Sequence, residues 1–288
     1  MINKITRKNS VKIINNEYVI KNKSNNVIDT YNYLLSRGFN NLPEIIKEDD
    51  NYIYYKYIND IKEPKEQKII DLISVVILLH SKTTFYKEVD IDTYKEIYEK
   101  INNEINELYT YYNKLMDNID TEIYMSPANY LIARNISIIF SSIHYAKESI
   151  DKWYKLVSGN RNIRVVMTHN NLIIDHYLKE ENGYLISWDK AKIDMPIYDL
   201  VVLYKNNYLD YEFNNLLKIY LNKYHLTNDE ILLFLTLISL PSMIEYKYSE
   251  YERVLEVRRL IDYLYKTDKL RKEYRVEKQE NKSKKEEK

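Results

Sequence analysis

VVMTHNNLIIDHYLKEENGYLISWDKAKIDMPIYDLVVLYK, residues 165–205, is the stretch on which the reading of the fold turns. It opens with a β-branched apolar run that reads as a short buried strand, followed by a polar loop beginning at His169. Two small strands are expected around Gly183, and then a helix entered at Pro196, a residue suited to a first helical turn. Asp199 lies within that helix beside Leu200, Val201, Val202 and Leu203. A carboxylate among apolar neighbours needs hydrogen-bond partners, and the N–H groups of the preceding loop are the natural ones.

Working toward the N-terminus, residues 11–57 alternate in the β manner. Val11–Ile14 and Glu17–Lys21 flank Asn15-Asn16 and predict a hairpin. Val27–Arg37 has helical spacing and is closed by Gly38. A second β pair, Glu44–Lys47 and Tyr52–Tyr57, spans the acidic turn 48–51. From Pro64 the pattern becomes helical, with a stripe through Ile69, Leu72, Ile73, Val76 and Leu79 that reaches His80. Ile91, Tyr94, Tyr98, Ile101, Ile105, Leu108, Tyr112 and Leu115 then form a heptad seam. The seam predicts a long helix in an antiparallel hairpin, with Ala128–Val157 returning and Trp153 in its core.

Toward the C-terminus, a helix is expected over 211–224. Thr227-Asn228-Asp229-Glu230 forms a capping box that opens Ile231–Leu240. Pro241 interrupts that run, and Met243–Lys266 is expected to continue helically. Residues 269–288 mix acids and bases and read as a frayed helix end and a disordered charged tail. The organisation expected is 1–60 as a small lobe of β hairpins plus one helix, 61–268 as a helical lobe carrying 165–205, and the tail.

The 288 residues carry 43 basic and 43 acidic side chains, so the balance of charge calls for neither nucleic acid nor an anionic membrane surface. There are no cysteines, which removes disulfides, thiolate catalysis and Cys-ligated zinc. No run is long enough for a membrane span and the N-terminus lacks a signal-type apolar core, so a cytoplasmic location is expected. The chain holds 31 Tyr and only 3 Gly, a bias that makes tyrosine abundance poor evidence for stacking surfaces.

The order of these pieces resembles the aminoglycoside phosphotransferase and choline kinase branch of the protein-kinase-like fold, and within it the bacterial spore-coat kinase-like proteins. The family's catalytic loop, His-Gly-Asp-Leu followed downstream by an Asn, is matched by His169-Asn170-Asn171-Leu172 and ends at His176. Its metal loop, Leu-Ile-Asp-Trp-Asp-x-Ala, is matched by Leu185-Ile186-Ser187-Trp188-Asp189-Lys190-Ala191. Pro196-Ile197-Tyr198-Asp199-Leu200 matches Pro-x-x-Asp-Leu in full. Leu79-His80 resembles the end of the first large-lobe helix, and Arg37-Gly38-Phe39 with Leu42-Pro43 the end of the small-lobe helix. The resemblance covers residues 8 to 267. It implies an α+β, bilobal protein-kinase-like fold, with a small β-rich N-lobe and a large, mainly helical C-lobe.

The same comparison marks what has changed. The family's catalytic Asp falls on Asn171, and an amide cannot take up a proton as a general base. The metal-binding Asn falls on His176 and the metal-binding Asp on Ser187; imidazole and a neutral hydroxyl suit the hard Mg²⁺ ion poorly. Lys21 is the candidate phosphate lysine, with Lys23 as fallback, and Asp29 is the only acid on the following helix. Asp175 and Asp189 lie near the lost positions, Asp189 being the possible substitute metal acid. His169, Leu172, Trp188, Ala191, Asp199 and Leu200 are the positions expected to hold loop and hairpin in shape. His144 and His225 are expected to be ordinary helix and loop residues.

The function implied is a pseudokinase with a binding or scaffolding role, such as spore-coat or envelope assembly, needing no cofactor. Its expected partner is a protein or a small molecule held in the interlobe cleft, with no nucleic acid, and the chain is expected to be monomeric. One alternative is an ATP- and Mg²⁺-dependent small-molecule phosphotransferase with an atypical metal site. Another is a helical structural protein that self-associates through the Ile91–Leu115 seam.

Overall fold

The computed structural model describes residues 5–8, 11–24, 26–245 and 249–286, with side chains described for 11–24, 26–245 and 249–274. In chain order, strands β1 (Ile5–Lys8), β2 (Val11–Ile14) and β3 (Tyr18–Asn22) form antiparallel neighbours. Asn15 and Asn16 turn the β2–β3 hairpin with φ of 52° and 56°. Two successive left-handed residues make a turn whose twist matches paired strands, and asparagine tolerates that region better than most residues.

Helix α1 (Val27–Ser36) ends as its sequence dictates. Gly38 adopts φ 72°, its N–H bonds Leu35 O at 2.9 Å, and the Phe39 N–H reaches back to Leu34 O at 3.0 Å, a Schellman closure. Strands β4 (Ile45–Glu48) and β5 (Tyr52–Lys56) follow, giving a five-stranded sheet of order β1-β2-β3-β5-β4. The Asp49 carboxylate makes their turn by accepting the N–H groups of Asn51 and Tyr52.

Helix α2 (Lys65–Thr83) starts after Pro64 and buries the Ile69–Leu79 stripe together with His80. Strand β6 (Phe85–Glu88) leads to the long helices α3 (Thr93–Asp120) and α4 (Pro127–Val157). Next come β7 (Asn162–Thr168), a 3-10 turn at Ile174–His176, the hairpin β8 (Tyr177–Lys179) and β9 (Gly183–Leu185), a second 3-10 turn at Trp188–Lys190, and β10 (Lys192–Asp194). Strands β10, β7 and β6 form a three-stranded sheet in that order. Gly183 is required in its hairpin, because a Cβ there would collide with the buried Tyr177 ring lying across it. Helices α5 (Ile197–Asn207), α6 (Phe213–Lys223), α7 (Asn228–Ile238) and α8 (Glu250–Glu286) complete the chain.

The chain divides into two compact units that do not follow sequence order. One comprises residues 1–87, 163–206 and 215–225, and holds the five-stranded sheet, α1, α2, the 165–205 stretch and most of α6. Its core includes Leu34, Phe39, Leu72, Val76, Leu79, Val166 and Leu200. The other comprises residues 88–162, 207–214 and 226–288. There the seam residues of α3, from Ile101 to Leu115, are buried, and Trp153 of α4 is 1 % exposed. The α7 capping box is present, with the Thr227 N–H on the Glu230 carboxylate at 2.9 Å.

Three sequence expectations are corrected. Ile91 is more than half exposed and precedes α3, so the seam begins at Tyr94. Met243–Lys266 is not one helix, since α8 begins at Glu250. Pro241 supplies no N–H, and the Ser242 and Ile244 carbonyls accept from the Tyr112 and Tyr111 hydroxyls; residues 246–248 lie outside the described residues. The stretch from 269, expected as a frayed helix end and tail, continues α8 to Glu286, with Leu270 and Arg271 buried and not frayed. Arg271 explains why: its guanidinium pairs with Asp268 at 3.0 Å and lies over the Tyr145 ring at 4.3 Å. The side chains of 275–288 lie outside the described residues.

Candidate functional site

The loop after β7 is held from below by Asp199. Its carboxylate is fully buried on α5 and accepts the His169 N–H at 2.8 Å, the Asn170 N–H at 2.6 Å and His80 Nε2 at 3.1 Å. A carboxylate can only accept, so His80 Nε2 carries a proton. In the neutral ring Nδ1 then accepts from the Tyr220 hydroxyl, 2.6 Å away. One buried chain thus runs from α6 through the end of α2 and α5 to the loop backbone. Tyr220 gave no sequence signal beyond being one tyrosine among many.

His169 supports the loop from its other side. Nε2 donates to Ile186 O at 2.8 Å, while Nδ1 is buried without a hydrogen-bond partner among the described residues. The ring packs edge-on against Trp188 with centroids 4.7 Å apart, and Trp188 in turn meets Phe39. Trp188 Nε1 closes on Leu185 O at 2.8 Å. Leu172, Trp188 and Leu200 are all buried, and Ala191 is partly so.

Burial holds the His169 imidazole below its usual value near 6.5, against the opposing pull of Asp199, the Ile186 carbonyl and Asp189, with His176 adding to the lowering. Because the folded value is the lower one, the unfolded chain takes up the proton more readily. The group's contribution to stability is complete above about pH 6.5 and is lost as the pH falls below it. The melting temperature should therefore drop between pH 7 and pH 5, and His169→Gln should flatten that drop; an unchanged slope would contradict the assignment.

The positions expected to carry chemistry are arranged differently. His176 Nδ1 lies 2.7 Å from the Asn171 carbonyl, so the imidazole closes its own loop, and its ring is 6.1 Å from that of His169. Ser187 adopts φ 68°, ψ 55°, and Asn170 adopts φ 54°. Left-handed non-glycine residues cost about 1–2 kcal/mol and persist only where surrounding contacts impose them. Here the Asp199 bonds and the Trp188 wedge do so.

Lys21 Nζ lies 3.3 Å from Ser187 Oγ and 3.2 Å from Asp189 Oδ2, and Ser24 Oγ approaches Asp189 Oδ1 at 3.5 Å. Strand β3 and the second 3-10 turn are thereby joined. The fallback Lys23 pairs instead with Glu48 at 3.6 Å. Lys21 is thus partnered by Asp189, not by Asp29 of α1. Tyr31 and Tyr55, which sequence reasoning missed, pack beneath this pair with ring centroids 6.0 Å apart. Burial pushes both hydroxyls up, Asp189 adding to the effect. Asp175 is exposed, and His144 is an exposed helix residue paired with Glu148.

This donor set does not fit Mg²⁺. Ser187 and Asp189 share a lysine ammonium, Asn171 is neutral, and His176, whose Nδ1 is on the Asn171 carbonyl, has only a ring nitrogen to offer an oxygen-seeking ion. Among the described residues no three His, Asp or Glu side chains are grouped to hold a metal ion. A hard divalent ion asks for six or more oxygen ligands, several of them charged or water. No helix of the described residues is long and apolar enough to cross a membrane.

Comparison with solved structures identifies the fold. The chain superposes on an aminoglycoside phosphotransferase from Alicyclobacillus acidocaldarius with a TM-score of 0.68 at 8 % identity, covering 94 % of this chain and 92 % of that one. Spectinomycin phosphotransferase bound to AMP gives 0.55 at 13 % identity, covering 89 % and 90 %. Its complex with ADP and spectinomycin gives 0.53 at 14 %, covering 92 % and 93 %. The sequence matches no protein-family model and no curated protein. The architecture is therefore α+β and protein-kinase-like, with a small β-rich N-terminal part and a large, mainly helical remainder, as seen in the aminoglycoside phosphotransferases. At these identities it is the fold that is shared.

Proposed function

We propose that this protein is a pseudokinase, which keeps the kinase-like loop as a shaped surface for binding or scaffolding and has given up phosphoryl transfer. One observation carries the reading. The loop backbone is tightly held by Asp199 and His169, while Asn171, His176 and Ser187, where proton transfer and metal binding would occur, present an amide, an imidazole and a hydroxyl in place of carboxylate and amide oxygens. Phosphoryl transfer depends on positioning and charge stabilisation by metal and cations, and this donor set supplies little of either. The role therefore requires neither ATP nor Mg²⁺. The sequence resemblance to spore-coat kinase-like proteins favours a protein partner of a spore-coat or envelope assembly, and small molecules held by kinase-like neighbours favour a cleft ligand as the other class.

The test is a phosphotransfer assay of the full chain with labelled ATP, Mg²⁺ or Mn²⁺, and aminoglycosides, choline and casein as acceptors. No transfer above background is expected. Turnover at roughly 1–100 s⁻¹, the ordinary kinase range, would overturn the reading.

A second reading, an active enzyme with Asp189 as substitute metal acid, draws on the carboxylate's closeness to the ammonium that also contacts Ser187. It requires an ATP- and Mg²⁺-dependent thermal shift that Asp189→Ala abolishes.

A further inference from the structure

We propose that Lys21 is a tethered cation standing in for a divalent metal, and that Asp189, by neutralising it, keeps polyphosphates out of the site. The inference rests on the non-catalytic reading above and gives the site a ligand class, namely molecules without a polyphosphate chain.

The geometry is a three-way contact. The Lys21 ammonium lies between the Ser187 hydroxyl and one Asp189 oxygen, and the Ser24 hydroxyl approaches the other. A metal bridging a metal loop to phosphates would bring two positive charges and leave coordination positions open to phosphate oxygens. The ammonium brings one charge, cancelled by Asp189, and two of its donors are already spent on protein oxygens. Tyr31 and Tyr55 near Asp189 are held as neutral hydroxyls and add no charge of their own.

An incoming triphosphate would have to compete with Asp189 for the Lys21 ammonium and lie beside the carboxylate. Lys21 is partly buried and Asp189 is exposed, with side chains 21 % and 41 % accessible, and near a protein surface like charges still repel more strongly than they would in bulk water. A neutral ligand meets no such barrier.

The proposal assigns Asp189 a sign opposite to that of a metal ligand. If Asp189 excludes polyphosphate, Asp189→Asn should improve polyphosphate binding; if it held a metal, the same change should weaken it. The experiment titrates the full chain with sodium tripolyphosphate and with ATP, each in EDTA and in Mg²⁺, by calorimetry. Wild type, Asp189→Asn, Lys21→Met and the double variant are compared, and adenosine serves as the uncharged control. Because an incompletely buried ion pair adds little to stability, all variants should melt within about 3 °C of wild type, which a thermal scan verifies.

Asp189→Asn is expected to bind tripolyphosphate and ATP at least tenfold more tightly than wild type without metal. Lys21→Met and the double variant should show no gain, and adenosine should not distinguish the four proteins. Unchanged or weaker tripolyphosphate binding by Asp189→Asn would overturn the proposal, as would a gain that survives loss of Lys21. The two readings fail separately. ATP binding by wild type that needs Mg²⁺ and is abolished in Asp189→Asn defeats the non-catalytic reading as well. Wild type indifferent to Mg²⁺, with no gain in Asp189→Asn, defeats this inference alone.

Discussion

Asp199→Ala is expected to destabilise the protein by about 4 kcal/mol and to lower its melting temperature by on the order of 10 °C. The carboxylate is fully buried and accepts three hydrogen bonds, from the His169 and Asn170 amides and from His80 Nε2. Alanine orphans all three donors in a site closed to water, each at a cost of about 1–3 kcal/mol. Asp199→Asn should cost less, because one amide oxygen can still accept while its NH₂ faces a donor. Thermal unfolding of both variants, with the exposed Asp117→Asn as control, checks the order. A loss below about 1 kcal/mol for alanine would show that the loop does not depend on this anchor. Hydrogen exchange at the 169 and 170 amides adds a local readout, and both should lose protection in the alanine variant.

The second large effect lies in the helical unit. Ile105 is 2 % exposed in the α3 seam, and α3 packs against α4 of the same chain. Ile105→Asp places a carboxylate where no partner is available and is expected to cost on the order of 4 kcal/mol. The result also separates two accounts of the seam. An internal seam loses the helical fold of that unit, seen as reduced ellipticity and a lower melting temperature. A seam that served mainly to join copies would leave the monomer fold intact and change only the sedimentation. Ile123, 90 % exposed between α3 and α4, supplies the control, and Ile123→Asp should stay within about 0.5 kcal/mol of wild type. Burial of the seam within the chain removes the observation that motivated a self-associating helical protein.

Much of the fold was legible because its signals are local. Asn15-Asn16 encoded the left-handed hairpin turn, Gly38 the helix closure, and Thr227 with Glu230 the capping box. Each is decided by residues a few positions apart, through φ preferences and short-range hydrogen bonds. The seam was legible through periodicity, and so was the helix carrying Asp199. The error at Met243–Lys266 arose where side chains from α3 take carbonyls that a helix would have used. The error at residue 269 has the same kind of origin. Leu270 and Arg271 read as part of a charged run, yet they are buried against residues distant in sequence.

The candidate site divides along the same line. From sequence alone it followed that Asn171, His176 and Ser187 carry no carboxylate for proton transfer or metal binding, and that a buried Asp199 must find donors. Those are properties of side-chain chemistry, and no fold can give an amide a proton affinity it lacks. Only the tertiary structure decided which donors Asp199 finds, that Tyr220 completes the His80 link from 140 positions away, and that Lys21 meets Asp189 across 168 positions. Such partnerships depend on how strands and helices pack, and packing brings together residues whose spacing along the chain carries no trace of their contact.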